Sequence, residues 1–225
     1  MKKLFRVSIA LCVVISLHAQ TEDLYGSAGH FRFGYANHNL SGMNAWLPDY
    51  YPSLKNDFVT VGGTGYILRN RVVLGGEGFG SIGTTVVRDT LSLAPSMGRG
   101  MLNVGYVILD HNDFVFYPLV GFGGGGTTIR VSENQGFGAI VNRLKETDYT
   151  FSNSNLMLSI SLGADTYFIS EAKKHGFSMG LRAGYIYCLQ NSNWKKNSTD
   201  IAGPNMNTSG FYFTIGIGGG RLHRK

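Results

Sequence analysis

The residues best placed for chemistry are four charged side chains inside stretches that alternate between apolar and polar positions. They are Arg32, Glu77, Asp165 and Arg182, and His30 shares the polar face of Arg32. Buried charges without partners are costly, so two cations and two anions on enclosed polar faces are expected to neutralise each other. The pattern predicts a salt-bridged interior cluster. A gate or selectivity site for a small solute is the alternative interpretation.

Other chemistries find little support in the sequence. The glycine-rich run 121–126 lacks the Gly-Lys-Ser/Thr that completes a phosphate-binding loop. The histidines lack metal-ligand spacing with a cysteine or a second histidine, so neither a metal nor a cofactor is expected. His38, Ser41 and Asp49 are near one another in the sequence, but nothing arranges them as base, nucleophile and orienting group. The sequence therefore predicts no catalytic residue and no enzyme.

The elements that must position the charged residues are strands. Period-two alternation, typical of half-buried strands, occurs in eight segments. They lie near 28–36, 58–68, 71–81, 101–109, 114–123, 156–165, 177–185 and 211–217. Their length is about that of a tilted strand crossing a bilayer. Pro118 falls inside the fifth segment without a backbone donor, which predicts a bulge or local break.

The connections between these segments alternate strictly between long and short. Short ones are expected at Arg69-Asn70, 110–113 and 170–175, and long ones at 37–57, 82–100, 124–154 and 188–209. A soluble sandwich has no reason to sort its turns in this way. A transmembrane barrel does, because its periplasmic turns are short and its extracellular loops are longer.

Charge placement indicates which strand face lies outside. Charged residues make up 15% of the chain, against about 25% in an average soluble protein. Only the four residues named first lie within strand cores, whereas a solvated barrel face needs many lysines and glutamates. The apolar face is therefore expected to contact lipid, and the polar face to line a small lumen. Because eight strands leave an interior filled by side chains, a general porin is not expected.

The first segment has the features of an export signal. Residues 1–19, MKKLFRVSIALCVVISLHA, combine three basic residues, an 11-residue apolar run from Val7 to Leu17 and a small residue at Ala19. This pattern predicts a secretory signal peptide, which leaves 20–225 as one domain. Without the signal the positive charge is modest, so no nucleic-acid partner is expected. Cys188 is then the only cysteine, which excludes an intramolecular disulfide.

Two glycine- and aromatic-rich segments carry a family resemblance. They read VGGTGYILRNRVVLGGEGFG (61–80) and GPNMNTSGFYFTIGIGGG (203–220). Together with the signal and the eight strands, they resemble the small bacterial outer-membrane β-barrel family, with its eight-stranded, OmpA/OmpX-like barrel domain. The resemblance implies an all-β, antiparallel, up-and-down transmembrane barrel with four long extracellular loops and three short periplasmic turns. It also implies the bacterial outer membrane as location, with its lipid bilayer and the barrel-assembly machinery as partners.

Large aromatic residues mark the predicted loops as candidate contact surfaces. Trp46, Tyr50 and Tyr51 lie close together in the first long loop, and Trp194 lies in the last. Exposed aromatics often anchor partners, although packing over the barrel mouth is the alternative. The sequence thus favours a structural or surface-interaction protein that acts through its extracellular loops. A narrow channel for a small solute and a soluble secreted ligand-binding barrel remain as alternatives.

Overall fold

The computed structural model describes residues 23–133, 149–169, 175–204 and 208–224, and eight long strands dominate them. The strands are β1 Leu24–His38, β2 Asp57–Arg69, β3 Val72–Gly83, β4 Leu91–Tyr106, β5 Phe114–Glu133, β6 Tyr149–Ile169, β7 Gly176–Asn191 and β8 Gly210–Arg224. Each pairs antiparallel with the next, and β8 returns to pair with β1 along its whole length. The predicted eight-stranded up-and-down barrel is confirmed.

The barrel has two distinct ends. The turn end holds the Asn70–Arg71 turn, the connection 107–113, the ends of β6 and β7 at Ile169 and Gly176, and the outer ends of β1 and β8. The loop end holds the connections 39–56 and 84–90, the ends of β5 and β6 at Glu133 and Tyr149, and the described residues 192–204 and 208–209. At the turn end, Asn70 and Arg71 both have positive φ, 48° and 66°. Such a turn has the twist that a two-residue hairpin needs, so β2 and β3 follow each other with a minimal connection.

Several strands run further toward the loop end than the sequence predicts. β4 begins at Leu91 and β5 ends at Glu133, so much of the predicted loops 82–100 and 124–154 is strand. The 84–90 connection even contains a short strand, Val86–Arg88, which pairs with the start of β4. The outward residues there include Ser92 and Ser96 rather than apolar side chains. The alternation that reveals a strand is therefore lost although the backbone pairing continues.

The irregularity predicted at Pro118 occurs on one side of β5. Pro118 pairs with Leu162 of β6 without a register shift. On the other side, the ladder with β4 stops at Gly105 with Leu119 and resumes at Leu109 with Phe116, so that residues 106–108 lie opposite only 117–118. The predicted bulge or local break is therefore present where Pro118 lacks a backbone donor.

The outer face of the barrel is apolar through its middle. Leu102 is 76% exposed, and the outward residues of every strand share this character. They include Phe31, Phe33, Val59, Val61, Leu74, Val104, Val120, Phe122, Ile160, Leu162, Leu181, Phe213 and Ile217. A soluble protein seldom exposes a continuous apolar surface of this kind. The outer face is thus apolar, whereas the outer face of a soluble barrel is polar.

The interior is built in three layers along the barrel axis. The loop-end core is an apolar cluster that includes Leu40, Met43, Leu47, Leu54, Phe58, Leu93, Met97, Met101, Ile129, Phe151, Met157, Ile186 and Trp194. The turn-end core is a second one, with Leu24, Ala28, Tyr66, Leu68, Val73, Val107, Val115, Tyr117, Leu119, Tyr167 and Leu222. Between them lies a layer of buried polar and charged side chains, the polar layer.

Helices contribute little to the described part of the chain. A short helix, α1 Ser41–Trp46, lies in the first loop-end connection. Within the described residues, no helix has the length and apolar character needed to cross a membrane.

Candidate functional site

The polar layer contains the residues that the sequence marks for chemistry. Arg32, Glu77, Asp165 and Arg182 are all buried inside the barrel, and so is His30. They come from β1, β3, β6 and β7, so only closure of the barrel brings them together. His30 lies 3.0 Å from the Ser178 hydroxyl through its Nε2 atom.

The first ion pair joins Arg32 to Asp165. Arg32 Nη2 lies 3.3 Å from Asp165 Oδ1, and both side chains are fully buried. The Arg32 Nε atom also donates to the Thr64 hydroxyl at 3.0 Å. Asp165 accepts further hydrogen bonds from the Tyr66 and Tyr117 hydroxyls. This density of partners compensates for removing both charges from water.

Two glycines make room for this ion pair. Arg32, Gly216, Gly180 and Asp165 lie in one register row across β1, β8, β7 and β6. A Cβ atom on Gly180 would lie 2.8 Å from Arg32 Nη2, and one on Gly216 would lie 3.0 Å from Arg32 Cγ. The Arg32 side chain therefore crosses two strands that have no side chain in this row. We call this row the glycine lane.

The second ion pair crosses the lumen. Arg182 Nη1 lies 2.6 Å from Glu77 Oε2. Their strands, β7 and β3, are four positions apart in the closed ring of eight and so face each other. Asn103 Nδ2 donates to the same carboxylate oxygen at 3.2 Å. Side chains from opposite walls therefore meet near the barrel axis.

A third buried arginine, Arg99, was not predicted. Its Nε atom lies 3.8 Å from Glu77 Oε1, and its guanidinium carbon lies 4.7 Å and 4.8 Å from the ring centroids of Phe79 and Tyr212. Cation–π contacts with two rings offset part of the cost of burying this charge. The predicted two-to-two balance is wrong, because the described polar layer holds three arginines and two carboxylates.

The signal for Arg99 was present in the sequence. Arg99 shares the strand phase of Met101 and Asn103, which point inward in β4. The predicted strand began at residue 101 and so stopped just short of it. Extending the alternation two residues toward the N-terminus places Arg99 in the lumen.

At the loop end, the first connection folds back over the barrel mouth. Leu40, Met43, Leu47 and Leu54 are buried in the loop-end core. Asn44 fixes the returning chain, since its side chain donates to the Leu54 carbonyl at 2.9 Å and accepts from the Leu54 amide at 2.8 Å. The connection 39–56, named loop one, is therefore a docked lid with a defined outer surface.

The aromatic residues of loop one differ in exposure. Trp46 is 39% exposed and packs edge-on against Phe151, with ring centroids 5.6 Å apart. Tyr51 is half-buried and its hydroxyl forms a hydrogen bond with that of Tyr149. Tyr50 is 62% exposed. The electrostatic influence of Tyr51 raises the pKa of the Tyr50 hydroxyl.

Trp194 does not provide the second exposed contact that the sequence predicts. Its side chain is only 2% exposed, and its indole N–H donates to the Pro204 carbonyl at 2.9 Å. It starts a short hairpin, Trp194–Lys196 with Thr199–Ile201, that packs on β6. Burial of this large ring stabilises the hairpin and leaves no indole surface for a partner.

The described residues contain little that resembles a catalytic or metal centre. No three His, Cys, Asp or Glu side chains among them are grouped as metal ligands. His38 is buried with its Nδ1 atom 3.1 Å from the Thr208 carbonyl. The Asp49 carbonyl accepts from Arg88 at 2.6 Å. The first contact joins Thr208 to β1, and the second joins loop one to the 84–90 connection.

Fold and interior together define a class: a closed eight-stranded antiparallel barrel with an apolar outer face and a filled lumen, the architecture of small outer-membrane barrels. No family model matches the chain, and neither does any curated protein. Among solved structures, it is similar to Ail, the attachment invasion locus protein of Yersinia pestis (12% identity, 91% of this chain, 100% of that chain, TM-score 0.43). It is also similar to Neisserial surface protein A (10% identity, 88% of this chain, 96% of that chain, TM-score 0.42). A further similar structure is the outer membrane protease OmpT of Escherichia coli (7% identity, 92% of this chain, 98% of that chain, TM-score 0.31).

Proposed function

We propose that this chain is a bacterial outer-membrane barrel with a structural or surface-interaction role, exerted through its loop end, and that it is neither an enzyme nor a pore. The observation that carries this proposal is the Arg182–Glu77 pair across the lumen. It lies between two apolar cores that fill the barrel toward both ends. Such an interior gives the barrel rigidity and leaves its outer surfaces for interaction.

Membrane insertion follows from the outward face. Its apolar side chains would be costly in water, and a closed barrel lets the strands cross hydrocarbon with their backbone groups paired. The turn end would face the periplasm and the loop end the outside, with the barrel-assembly machinery as the expected partner during insertion. The purified protein should need detergent and should change gel mobility on heating. Recovery as a soluble monomer would contradict membrane insertion and favour the soluble ligand-binding alternative.

The surface role rests on loop one. Its buried leucines hold α1 in place, so the exposed parts of Trp46 and Tyr50 form a preorganised surface. Preorganisation lowers the entropy that a partner must offset on binding. We expect a Trp46→Ala/Tyr50→Ala variant to lose adhesion of expressing cells to immobilised matrix proteins while keeping the heat-dependent gel shift. The matched control is Val87→Ala, an exposed apolar residue of another loop-end connection.

Three outcomes decide this test. Adhesion lost only in the double variant supports the surface role. Equal loss in the Val87→Ala control would assign the effect to the loop end as a whole and contradict a specific role for loop one. Unchanged adhesion in the double variant would exclude these aromatics as the contact surface.

The channel alternative is tested in planar bilayers. We expect the native barrel to show no steady ion conductance, because charged side chains from opposite walls meet in its lumen. A Glu77→Ala/Arg182→Ala variant removes that crossing but keeps both apolar cores, so we expect it to remain without steady conductance as well. Steady conductance by the native protein would favour the narrow channel over the surface role.

A further inference from the structure

A group of basic side chains lies on the outer face of the barrel at its turn end. Tyr25 of β1 pairs with Arg69 of β2 on one side and with His223 of β8 on the other. The next outward row places Arg221 beside Ser27. Three basic residues thus surround one tyrosine across three neighbouring strands. We call Arg69, Arg221 and His223 the turn-end basic cluster.

The alternation of each strand sets the direction of these side chains. Leu68 and Leu222 are buried in the turn-end core, so their neighbours Arg69, Arg221 and His223 point away from the lumen. All three are exposed, and Tyr25 beside them is half-buried. The cluster is therefore on the surface that continues the apolar outer face. It lies at the level where that face ends.

Two other arginines at the turn end share a carboxylate, in contrast to this cluster. Arg71 and Arg224 both pair with Asp110, at 3.8 Å and 2.6 Å. Within the part of the chain that the structure describes, no carboxylate lies within ion-pair distance of Arg69, Arg221 or His223. The acid at the start of β1, Asp23, accepts from the Tyr25 hydroxyl at 3.5 Å. Arg69 and Arg221 thus present positive charge, without an ion-pair partner among the described residues, next to an apolar surface.

We propose that the turn-end basic cluster binds the phosphate of an anionic phospholipid in the leaflet that surrounds the turn end. The inference rests on the proposed membrane insertion. Guanidinium groups bind phosphate oxygens through paired hydrogen bonds, and tyrosine favours the boundary between hydrocarbon and headgroups. The combination of exposed cations with an apolar face suits a lipid, whose chains extend away from its charge.

The surface above the cluster suits an acyl chain. The next row toward the loop end consists of Gly219, Gly29 and Gly65, paired in register across the same three strands. A Cβ atom on Gly29 would meet nothing within 4 Å, so this row is open on its outer side. Phe31 follows on β1 and bounds the open surface from above. A chain lying there contacts backbone and the Phe31 ring while its headgroup reaches the arginines.

The test measures lipid retention by the purified, folded barrel. Detergent-held protein is titrated with phosphatidylglycerol or with phosphatidylcholine of the same acyl chains, and bound lipid is counted by native mass spectrometry. We expect phosphatidylglycerol to be retained preferentially. An Arg69→Gln/Arg221→Gln/His223→Gln variant should lose that preference by about 30-fold, since each of the two arginines near a lipid surface contributes about 1 kcal/mol and about 1.4 kcal/mol corresponds to a factor of ten.

A second triple variant controls for general charge loss. Lys55→Gln/Arg130→Gln/Lys195→Gln removes three exposed cations at the loop end and should leave the preference unchanged. Equal retention of the two lipids by the native barrel, or an equal loss in both triple variants, would overturn the proposal. If the cluster variant does not fold, Arg221→Gln alone should reduce the preference several-fold, and an unchanged preference would overturn the proposal.

Failure of this inference is distinguishable from failure of membrane insertion. A protein that needs detergent and shifts on heating, yet binds both lipids equally, is an inserted barrel without this lipid site. A protein that stays soluble without detergent contradicts membrane insertion itself. Competition by inorganic phosphate alone, without any preference between lipids, would show a simple anion site and overturn the lipid assignment.

Discussion

At the scale of single residues, the buried charges of the polar layer are compensated by ion pairs and hydrogen bonds from several strands. Arg32 and Asp165 are fully buried, and each has partners on more than one strand. Glu77 is shared by Arg182, Arg99 and Asn103. The two carboxylates therefore differ in what remains when one partner is removed. Single substitutions in the polar layer should therefore reduce the stability of the barrel by different amounts.

We expect Asp165→Ala to destabilise the barrel more than Arg182→Ala. Removing Asp165 leaves the buried Arg32 with the Thr64 hydroxyl, whereas removing Arg182 leaves Glu77 with Arg99 and Asn103. Breaking a buried pair from one side costs about 3–5 kcal/mol, with Asp165→Ala near the upper value. Urea unfolding in lipid vesicles measures both. A Glu77→Ala/Arg182→Ala double variant should recover part of the single loss, and strict additivity would show that the two do not interact.

The glycine lane gives a second prediction at this scale. A methyl group on Gly180 would contact the Arg32 guanidinium and the Asp165 carboxylate. We expect Gly180→Ala to lower the unfolding free energy by about 1–3 kcal/mol through this overpacking. Gly78→Ala is the matched control, because nothing lies within 4 Å of its Cβ position. Equal effects in both variants would show that the lane is not needed for the ion pair.

The sequence predicts which charged residues of the polar layer point inward, but it does not predict which of them pair with each other. Alternation alone identifies the inward phase, and so it selects Arg32, Glu77, Asp165 and Arg182. Which charges meet, however, depends on the register of several ladders at once. The role of Gly180 emerges only after β1, β8, β7 and β6 are aligned. A period-two pattern within one strand carries no information about its neighbours' register.

At the scale of elements, loop one is stabilised by packing and by several side-chain hydrogen bonds, among them the two that Asn44 forms. Four of its apolar residues reach the loop-end core, and Asn44 forms two hydrogen bonds to the Leu54 backbone. The sequence showed an aromatic loop, with packing or a partner as alternatives. Both descriptions apply to different residues of the loop, because its leucines are buried while Tyr50 is exposed.

We expect Asn44→Ala to release loop one without unfolding the barrel. Two lost hydrogen bonds, each contributing about 0.5–1.5 kcal/mol, shift the local opening equilibrium of the loop. Trypsin cleavage after Lys55 should then become several-fold faster, while the heat-dependent gel shift stays unchanged. Ser53→Ala, an exposed neighbour in the same loop, should cleave at the native rate. Unchanged cleavage in Asn44→Ala would show that leucine burial alone holds the loop.

At the scale of the whole molecule, the barrel is a ring closed by its two chain ends. β1 and β8 form the seam between them, paired from Leu24–Arg224 to His38–Gly210. The Arg32–Asp165 pair passes over that seam, because Asp165 is on β6 and reaches β1 across β7 and β8. Its partners are 133 residues apart in the chain. The pair can form only after the seam has closed.

We expect removal of this pair to accelerate unfolding far more than it slows folding. An interaction formed after the rate-limiting step contributes to the unfolding barrier and not to the folding barrier. Arg32→Met/Asp165→Leu removes both charges together and avoids leaving either one unmatched. Folding and unfolding rates in vesicles, followed by Trp46 and Trp194 fluorescence, measure the effect. A variant that folds slowly but unfolds at the native rate would show that the pair is already formed at the rate-limiting step.

The glycine lane has a consequence for how this sequence can change over time. A substitution that adds a side chain at Gly180 or Gly216 intrudes on the Arg32 side chain. Shortening Arg32 first leaves Asp165 without its cation. We therefore expect single substitutions at Gly180 or Arg32 to destabilise the barrel more than a coordinated replacement on several strands. We expect the four residues of this row, Arg32, Gly216, Gly180 and Asp165, to be conserved together or replaced together in homologues. Outward residues such as Leu102 should vary among apolar residue types.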